Sequence, residues 1–324
     1  MAAVTPPNIL ASTAQAKAAV LREALPWITR FHGETVVIKY GGSAMSDEDL
    51  KRSFAADVAL LHFVGLRPVV VHGGGPQISE VSGRLGLPTT FVGGMRVTDE
   101  ATMDVVRMVL LGRINPELVG LVQAAGAPVV GLAGTDGKLL TLRPARGPGG
   151  EDLGRVGEVE DVDPTLVRRL LADGFLPVVA TVGRDRDGVD RNVNADLAAG
   201  AIAAALGAAK LVYLTDVAGL YRDVRDDSSL LSEVRLDELE AMLASGEVGA
   251  GMRPKVTSIV AALKDGVPRA HIIDGRVLHA ILLEIFTDEG VGTMITAGLT
   301  TNGTGDWRGP GPHRGAWPRP GHPD

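Results

Sequence analysis

The 324-residue sequence predicts an α/β fold: a three-layer sandwich with helices on both faces of a central, mostly parallel sheet, and one extra helix in front of it. Three observations lead there. Short apolar runs alternate with segments of helical period between about residues 35 and 295, the pattern of repeated strand–helix–strand units. Runs such as Val36-Val37-Ile38 and Val69-Val70-Val71 are apolar at every position, as in strands covered on both faces. The composition, 45% apolar with 42 glycines and 4% aromatics, suits compact strand–helix units joined by glycine turns.

The first helical segment covers about residues 9–31, with Leu10, Ala14, Lys17, Leu21 and Leu25 at helical spacing and an expected break near Pro26. It completes no strand–helix–strand unit, so it either packs on its own domain or grips another subunit. A strand over 36–40 runs into Gly41-Gly42. Ser46 with Asp49 reads as a capping box for a helix carrying Leu50, Phe54, Val58 and Leu61 on one face and stopping at Gly65. A second strand, 69–71, leads into His72-Gly73-Gly74-Gly75, and Pro76 suits the first position of the next helix. Helices are expected from 98 to 111 and from 115 to 126, then a strand at 129–132. The stretch 134–162 is rich in glycine, proline and charge and reads as hairpins and a mobile loop. Asp163-Pro164 caps a helix, and a strand at 176–182 follows. After a soft boundary at 183–188, helices are expected at 194–206, 236–244, 254–264 and 277–287, with strands at 210–214, 270–273 and 293–295. This divides the chain into a helix at 1–30, lobes at 31–182 and 183–297, and a disordered tail at 298–324.

Several classes of function are set aside. The net charge of −7 argues against a nucleic-acid binder. With no cysteine, disulfides, thiolate metal sites and cysteine nucleophiles are excluded. No apolar run reaches the roughly 18 residues of a membrane span, and the N-terminus lacks a signal-peptide pattern, so a cytoplasmic protein without membrane contact is expected. There is no G-x-x-x-x-G-K-S/T phosphate loop, no G-x-G-x-x-G fingerprint and no close histidine cluster for a metal.

The positions that can carry chemistry are few. Lys39 ends a buried strand beside Gly41 and Gly42. It either snorkels to water or meets an anion, and the stretch alone does not separate the two. Gly73-Gly74-Gly75 can point successive N–H groups at a ligand ahead of a helix N-terminus, or serve as a tight turn chosen for packing. Arg96, in the loop Val92–Thr98, is either solvated or holds a carboxylate through two hydrogen bonds. Asn194 and Asp196 fit an N-cap and a first-turn acid, which leaves Asn192 unexplained. Lys255, next to Pro254, sits in the first turn of a predicted helix, where a cation opposes the dipole, so the sequence either tolerates a small cost there or meets an anion. Two glycine turns, two lysines and an aspartate between them favour phosphoryl transfer without a Walker motif.

These motifs, in this order, resemble the amino acid kinase family. The matching stretches are Val37-Ile38-Lys39-Tyr40-Gly41-Gly42, Val71-His72-Gly73-Gly74-Gly75-Pro76, Met95-Arg96-Val97-Thr98, Asn192-Val193-Asn194-Ala195-Asp196, Leu214-Thr215-Asp216-Val217-Ala218-Gly219-Leu220-Tyr221 and Gly251-Met252-Arg253-Pro254-Lys255-Val256. The resemblance implies the amino acid kinase fold and ATP- and Mg²⁺-dependent phosphorylation of the γ-carboxylate of N-acetyl-L-glutamate. It implies Lys39, Lys255 and Asp196 as the catalytic group. Gly74, Gly75, Arg96 and Asn192 would hold the substrate. Lys39, Gly41, Gly42, Gly73, Asp216 and Lys255 would hold the nucleotide, whose phosphates carry the Mg²⁺, with no metal site of protein ligands. The substrate would lie in the first lobe and ATP in the second. The chain ends, including Glu23-Ala24-Leu25-Pro26-Trp27 and the stretch from His271 to Thr293, resemble arginine-inhibited members. That implies L-arginine as inhibitor, with Trp27, Lys210, His271, Glu284 and Gly290 as effector residues. It further implies a hexamer, a trimer of dimers, tied by N-terminal helices, and a PII-type regulator as partner. Two rival readings are a kinase for glutamate or α-aminoadipate blocked by a carrier protein, and a non-catalytic arginine sensor on the same fold. Loss of Lys39, Lys255 or Asp196 would mark the sensor, and all three are present.

Overall fold

The computed structural model describes residues 7–298 apart from 46, 224, 250, 288 and 289. Helix α1 (Pro7–Phe31) leads to β1 (Thr35–Tyr40), α2 (Glu48–Phe63), β2 (Arg67–His72) and α3 (Gly75–Arg84). A short hairpin of β3 (Phe91–Val92) and β4 (Met95–Arg96) precedes α4 (Glu100–Val109), α5 (Asn115–Ala124) and β5 (Val129–Ala133). Next come β6 (Leu140–Arg146), β7 (Asp152–Val162), α6 (Thr165–Ala172), β8 (Leu176–Ala180), β9 (Val182–Asp185) and β10 (Asp190–Val193). The chain continues through α7 (Ala195–Leu206), β11 (Lys210–Thr215), β12 (Glu233–Arg235), α8 (Leu236–Ser245), α9 (Arg253–Lys264), β13 (Arg269–Asp274), α10 (Ala280–Phe286) and β14 (Thr293–Thr296).

Eight strands form one sheet in the order β12-β14-β13-β11-β1-β2-β8-β5. Every pairing is parallel except β13 with β14. Alternate residues of the buried strands feed two cores. Val36, Ile38, Tyr40, Val70, Val178 and Val212 pack with α2, α4, α5 and α10. Val37, Val69, Val71, Val179, Leu211 and Tyr213 pack with α6, α7, α8 and α9. The sheet is therefore the middle of three layers, as the continuous apolar runs require.

Several expectations need correction. Helix α1 passes through Pro26 without a break. Pro26 lies on its exposed side, where the carbonyl displaced by the ring meets solvent. The cap of α2 is Asp47, whose Oδ1 accepts from the amides of Asp49 and Leu50 at 2.9 Å each, and Ser46 lies outside the described residues. The helices expected at 98–111 and 115–126 are continuous, joined by a π-helical segment at Leu110–Ile114. Within 134–162 the expected hairpin is present, β6 antiparallel to β7, but in place of a mobile loop it closes a small barrel with β9 and β10. The single strand expected at 176–182 divides at Thr181, its first half in the sheet and its second in the barrel. The soft boundary at 183–188 is the antiparallel β9–β10 hairpin. Helix α10 starts at Ala280 rather than 277, because His279 holds a left-handed backbone (φ 59°) with Nδ1 on Asp57 Oδ1 at 2.6 Å. The expected tail from 299 onward lies outside the described residues. Among the described residues no helix is long and apolar enough to cross a membrane.

Candidate functional site

Strand alternation decides where Lys39 points. Val37 joins the core under α7 and α9, so Lys39, two residues on, faces the same side. There it meets the N-terminal turn of α7. Lys39 Nζ stands 3.0 Å from Asp196 Oδ1, and Lys255 Nζ stands 3.0 Å from Asp196 Oδ2. One carboxylate thus spans two ammonium groups from strands and helices far apart in sequence. Oδ2 receives an aligned hydrogen bond from Lys255. The Lys39 contact is an ion pair, and among the described residues Oδ1 has no aligned donor. Burial works to raise the Asp196 carboxyl, but the charges of Lys39 and Lys255 outweigh it and hold the group below the usual carboxylate range. Burial lowers the Lys255 ammonium, Asp196 pulls it back up, and Lys39 pushes it further down. Asn194 caps α7, its Oδ1 accepting from the amide of Asp196 at 2.8 Å.

The two glycine turns lie at the carboxyl ends of adjacent parallel strands, β1 and β2. Gly41 lies against the end of Lys39. Gly42 adopts φ 76°, and a Cβ there would stand 2.5 Å from Asp216 Oδ1, so the turn admits only glycine. This places Asp216, at the end of β11, beside the first turn. Gly73 abuts Ala195 at the start of α7. Gly74 caps α3, and a Cβ there would collide with Ile114 and Leu110 of the π-helical segment, so packing accounts for that glycine. Gly75 has open space where a Cβ would be. The turn is stiffened from below by His72, whose Nδ1 donates to the carbonyl of Gly73 at 3.0 Å while Nε2 accepts from Asn115 Nδ2 at 3.1 Å. Burial lowers the His72 imidazole to about 4, so it is neutral and keeps this one tautomer.

Arg96 is buried beside that turn. Its Nη2 donates to the carbonyl of Gly75 at 2.9 Å and to Ser79 Oγ at 2.7 Å, and Phe91 covers the guanidinium at 4.8 Å. Nη1 is buried without a partner, and among the described residues no carboxylate pairs with Arg96. Asn192 lies on β10 in register with Val156 and Val182, and its side chain makes no hydrogen bond to a described residue.

The effector candidates gather elsewhere. Lys210 opens β11 and faces the α10 side, its Nζ 4.5 Å from the centre of the Phe31 ring. Burial lowers its ammonium to about 8. His271 Nδ1 donates to Glu284 Oε1 at 2.6 Å, and Glu284 Oε2 accepts the amide of Val291 at 2.8 Å. His271 Nε2 is buried without a partner among the described residues, and Gly290 packs against Glu284. Trp27 stacks on Phe31 at 6.2 Å, the ring that lies under Lys210.

The profile of the Amino acid kinase family matches residues 34–274. The chain belongs to the amino acid kinase family. Among members of this family it is 56% identical over 288 residues to an acetylglutamate kinase of Salinispora tropica, covering 88% of this chain and 97% of that one. The structure is also similar to N-acetylglutamate synthase from Neisseria gonorrhoeae complexed with coenzyme A and N-acetyl-glutamate. That match has a TM-score of 0.77 and 29% identity, over 86% of this chain and 63% of that one. The same synthase complexed with coenzyme A and L-arginine matches with a TM-score of 0.73 and 28% identity, over 86% of this chain and 65% of that one.

Sequence reasoning missed Tyr213, Ser258, Ser79, Phe91 and Asn115. Ser258 carries the one readable signal, a spacing of three from Lys255 that sets both on one face of α9. The others depend on which strand lies beside which.

Proposed function

We propose that this amino acid kinase transfers the γ-phosphoryl group of ATP to the γ-carboxylate of N-acetyl-L-glutamate, forming N-acetyl-L-glutamyl 5-phosphate in arginine biosynthesis. The Lys39–Asp196–Lys255 clamp at the carboxyl ends of β1, β2 and β11 carries this reading, in a chain 56% identical to an acetylglutamate kinase. A γ-carboxylate oxygen attacks the γ-phosphorus, the new carboxyl–phosphorus bond forms, and the bridging P–O bond breaks with its electron pair leaving on ADP. A carboxylate is already ionised at neutral pH, so no general base is needed. What remains is alignment and compensation of charge. Lys39 and Lys255 offset the negative charge on the phosphoryl oxygens, and Asp196 keeps two like charges close together without a partner anion. Gly42, Gly74 and Gly75 offer backbone N–H groups to the phosphates and the attacking carboxylate. The unpartnered Nη1 of Arg96 suits the α-carboxylate, and Asn192 the acylated amino group. Gly41, Gly73 and Asp216 border the nucleotide.

Among the described residues no group of three His, Asp or Glu side chains could hold a metal ion, and the ammoniums of Lys39 and Lys255 outnumber the one carboxylate, Asp196, that they share. That set fits a polyphosphate that brings its own Mg²⁺, which lowers the phosphate charge when bound.

The proposal extends to regulation. L-arginine is taken up between Glu284, which suits its guanidinium, and Lys210, which suits its carboxylate, with His271, Gly290 and Trp27 around it. The similarity to a synthase solved with L-arginine supports this. The exposed apolar residues Val20, Leu21 and Leu25 of α1 support a hexamer linked through these helices. A PII-type regulator and a cytoplasmic setting complete the proposal.

Trapping the acyl phosphate as a hydroxamate tests the reaction. With ATP and Mg²⁺ the product forms from N-acetyl-L-glutamate and not from free glutamate; equal rates with both would sink the assignment.

A further inference from the structure

Asp196 is held at its backbone as well as at its carboxylate. Ser258 Oγ donates to the carbonyl of Asp196 at 2.6 Å. Tyr213 OH lies 2.7 Å from Ser258 Oγ and 3.2 Å from the same carbonyl. With the serine proton committed to the carbonyl, the tyrosine proton reaches either Ser258 Oγ or the same carbonyl, so both hydroxyls hold the backbone of Asp196. Burial raises the Tyr213 phenol, which keeps it protonated and a donor.

The surroundings repeat the pattern. Ser258 follows Lys255 by three positions on α9, so one helix face holds Asp196 twice, by side chain and by backbone. Tyr213 pairs in register with Lys39 across β11 and β1 and faces the same core. Its ring lies under Lys255, with Nζ 5.2 Å from the ring centre. Tyr213 therefore touches or neighbours every member of the clamp. Helix α7 comes close enough for this only because residue 200 is glycine, where a Cβ would collide with Ser258 Oγ and stand 3.4 Å from Tyr213 OH.

We propose that Ser258 and Tyr213 are positioning residues for phosphoryl transfer, fixing the first turn of α7 so that Asp196 holds Lys39 and Lys255 at the spacing the transferring group requires. This rests on the kinase reading above. Two ammonium groups facing one phosphoryl group gain from a fixed geometry, and displacement of about 1 Å costs up to about 100-fold in rate. The two hydroxyls supply that rigidity from the dry side of the site.

The test compares Tyr213→Phe, which keeps the ring under Lys255, with Ser258→Ala and the double variant. Expected is a fall in kcat of about 10-fold to 100-fold, with KM for both substrates within about twofold and melting temperature close to that of the unchanged chain. Because Tyr213 can still donate to the carbonyl when Ser258 is removed, the double variant should lose more than either single one. A second readout does not need activity. Acylation of Lys255 by an amine reagent, followed by mass spectrometry, should speed up several-fold in either single variant. A kcat within twofold of the unchanged chain, or a loss matched by raised KM and lowered melting temperature, would overturn the proposal. So would unchanged labelling of Lys255. If the unchanged chain itself forms no acyl phosphate, the kinase reading fails, and the labelling comparison alone decides the positioning role.

Discussion

Arg96 has one aromatic face above it, two acceptors on one nitrogen and none on the other. A buried guanidinium left in that state is costly unless an anion completes it. Arg96→Lys, which keeps the charge and loses the fork, should raise KM for N-acetyl-L-glutamate by about 10-fold to 100-fold and leave KM for ATP nearly unchanged. Steady-state kinetics with each substrate varied reads this directly; an equal rise in both would remove Arg96 from the acyl amino acid side. His72 makes a stability prediction. Its folded value of about 4 lies below the ordinary 6.5. Between these values the unfolded chain binds more protons, so the contribution is present above pH 6.5 and lost as pH falls through 4, by about 3 kcal/mol. Asp57 works in the opposite direction over an overlapping range, since burial pushes its carboxyl up to about 6. Urea unfolding should therefore be compared between the unchanged chain and His72→Gln from pH 7 to pH 4. The difference should shrink toward acid, and a constant difference would refute the argument.

At the level of elements, α1 and α10 differ in kind from the rest. Helix α1 continues through Pro26, exposes Val20, Leu21 and Leu25, and stacks Trp27 on Phe31 beside Lys210. It therefore reaches both the proposed subunit contact and the proposed effector site. A chain lacking residues 1–30 should run as a dimer in light scattering, and arginine should inhibit it only at higher concentration. An unchanged particle mass would separate α1 from assembly. Helix α10 starts at the His279–Asp57 contact and carries Glu284 one turn further on, so its position is set from α2 as well as from β13. Sequence periodicity placed α10 three residues too early because it registers apolar spacing and not the left-handed residue that stops a helix.

For the molecule as a whole, β11 links two sites. Tyr213 faces the α7–α9 side with the catalytic candidates, and Lys210, three residues earlier, faces the α1–α10 side with the effector candidates. The two groups thus lie on opposite faces of one strand. With its ammonium lowered to about 8 by burial, Lys210 is charged below that value and loses charge above it. Inhibition by arginine should weaken as pH rises through about 8, and Lys210→Arg should keep its inhibition across that range. A half-inhibiting concentration independent of pH in the unchanged chain would place the carboxylate elsewhere.

Much was legible in the amino-acid order: the buried strands, the two glycine turns, the extra helix, and Lys39, Asp196 and Lys255 as members of one cluster. Each of these is a local pattern of period, turn chemistry or helix-end charge. The small barrel of β6, β7, β9 and β10 escaped because its glycines and charges imitate a loop until four strands close on one another. Asn115 was read as the start of a helix, yet it lies inside a continuous one and binds His72 and the carbonyl of Val178. Tyr213 and Ser258 escaped because their contact with Asp196 exists only once β11 lies beside β1 and α7 crosses α9. The sequence by itself determined which residues could bear charge at strand and helix ends. The tertiary structure decided that one carboxylate stands between two lysines more than two hundred positions apart, since strand order and helix crossing are set by packing summed over the whole core.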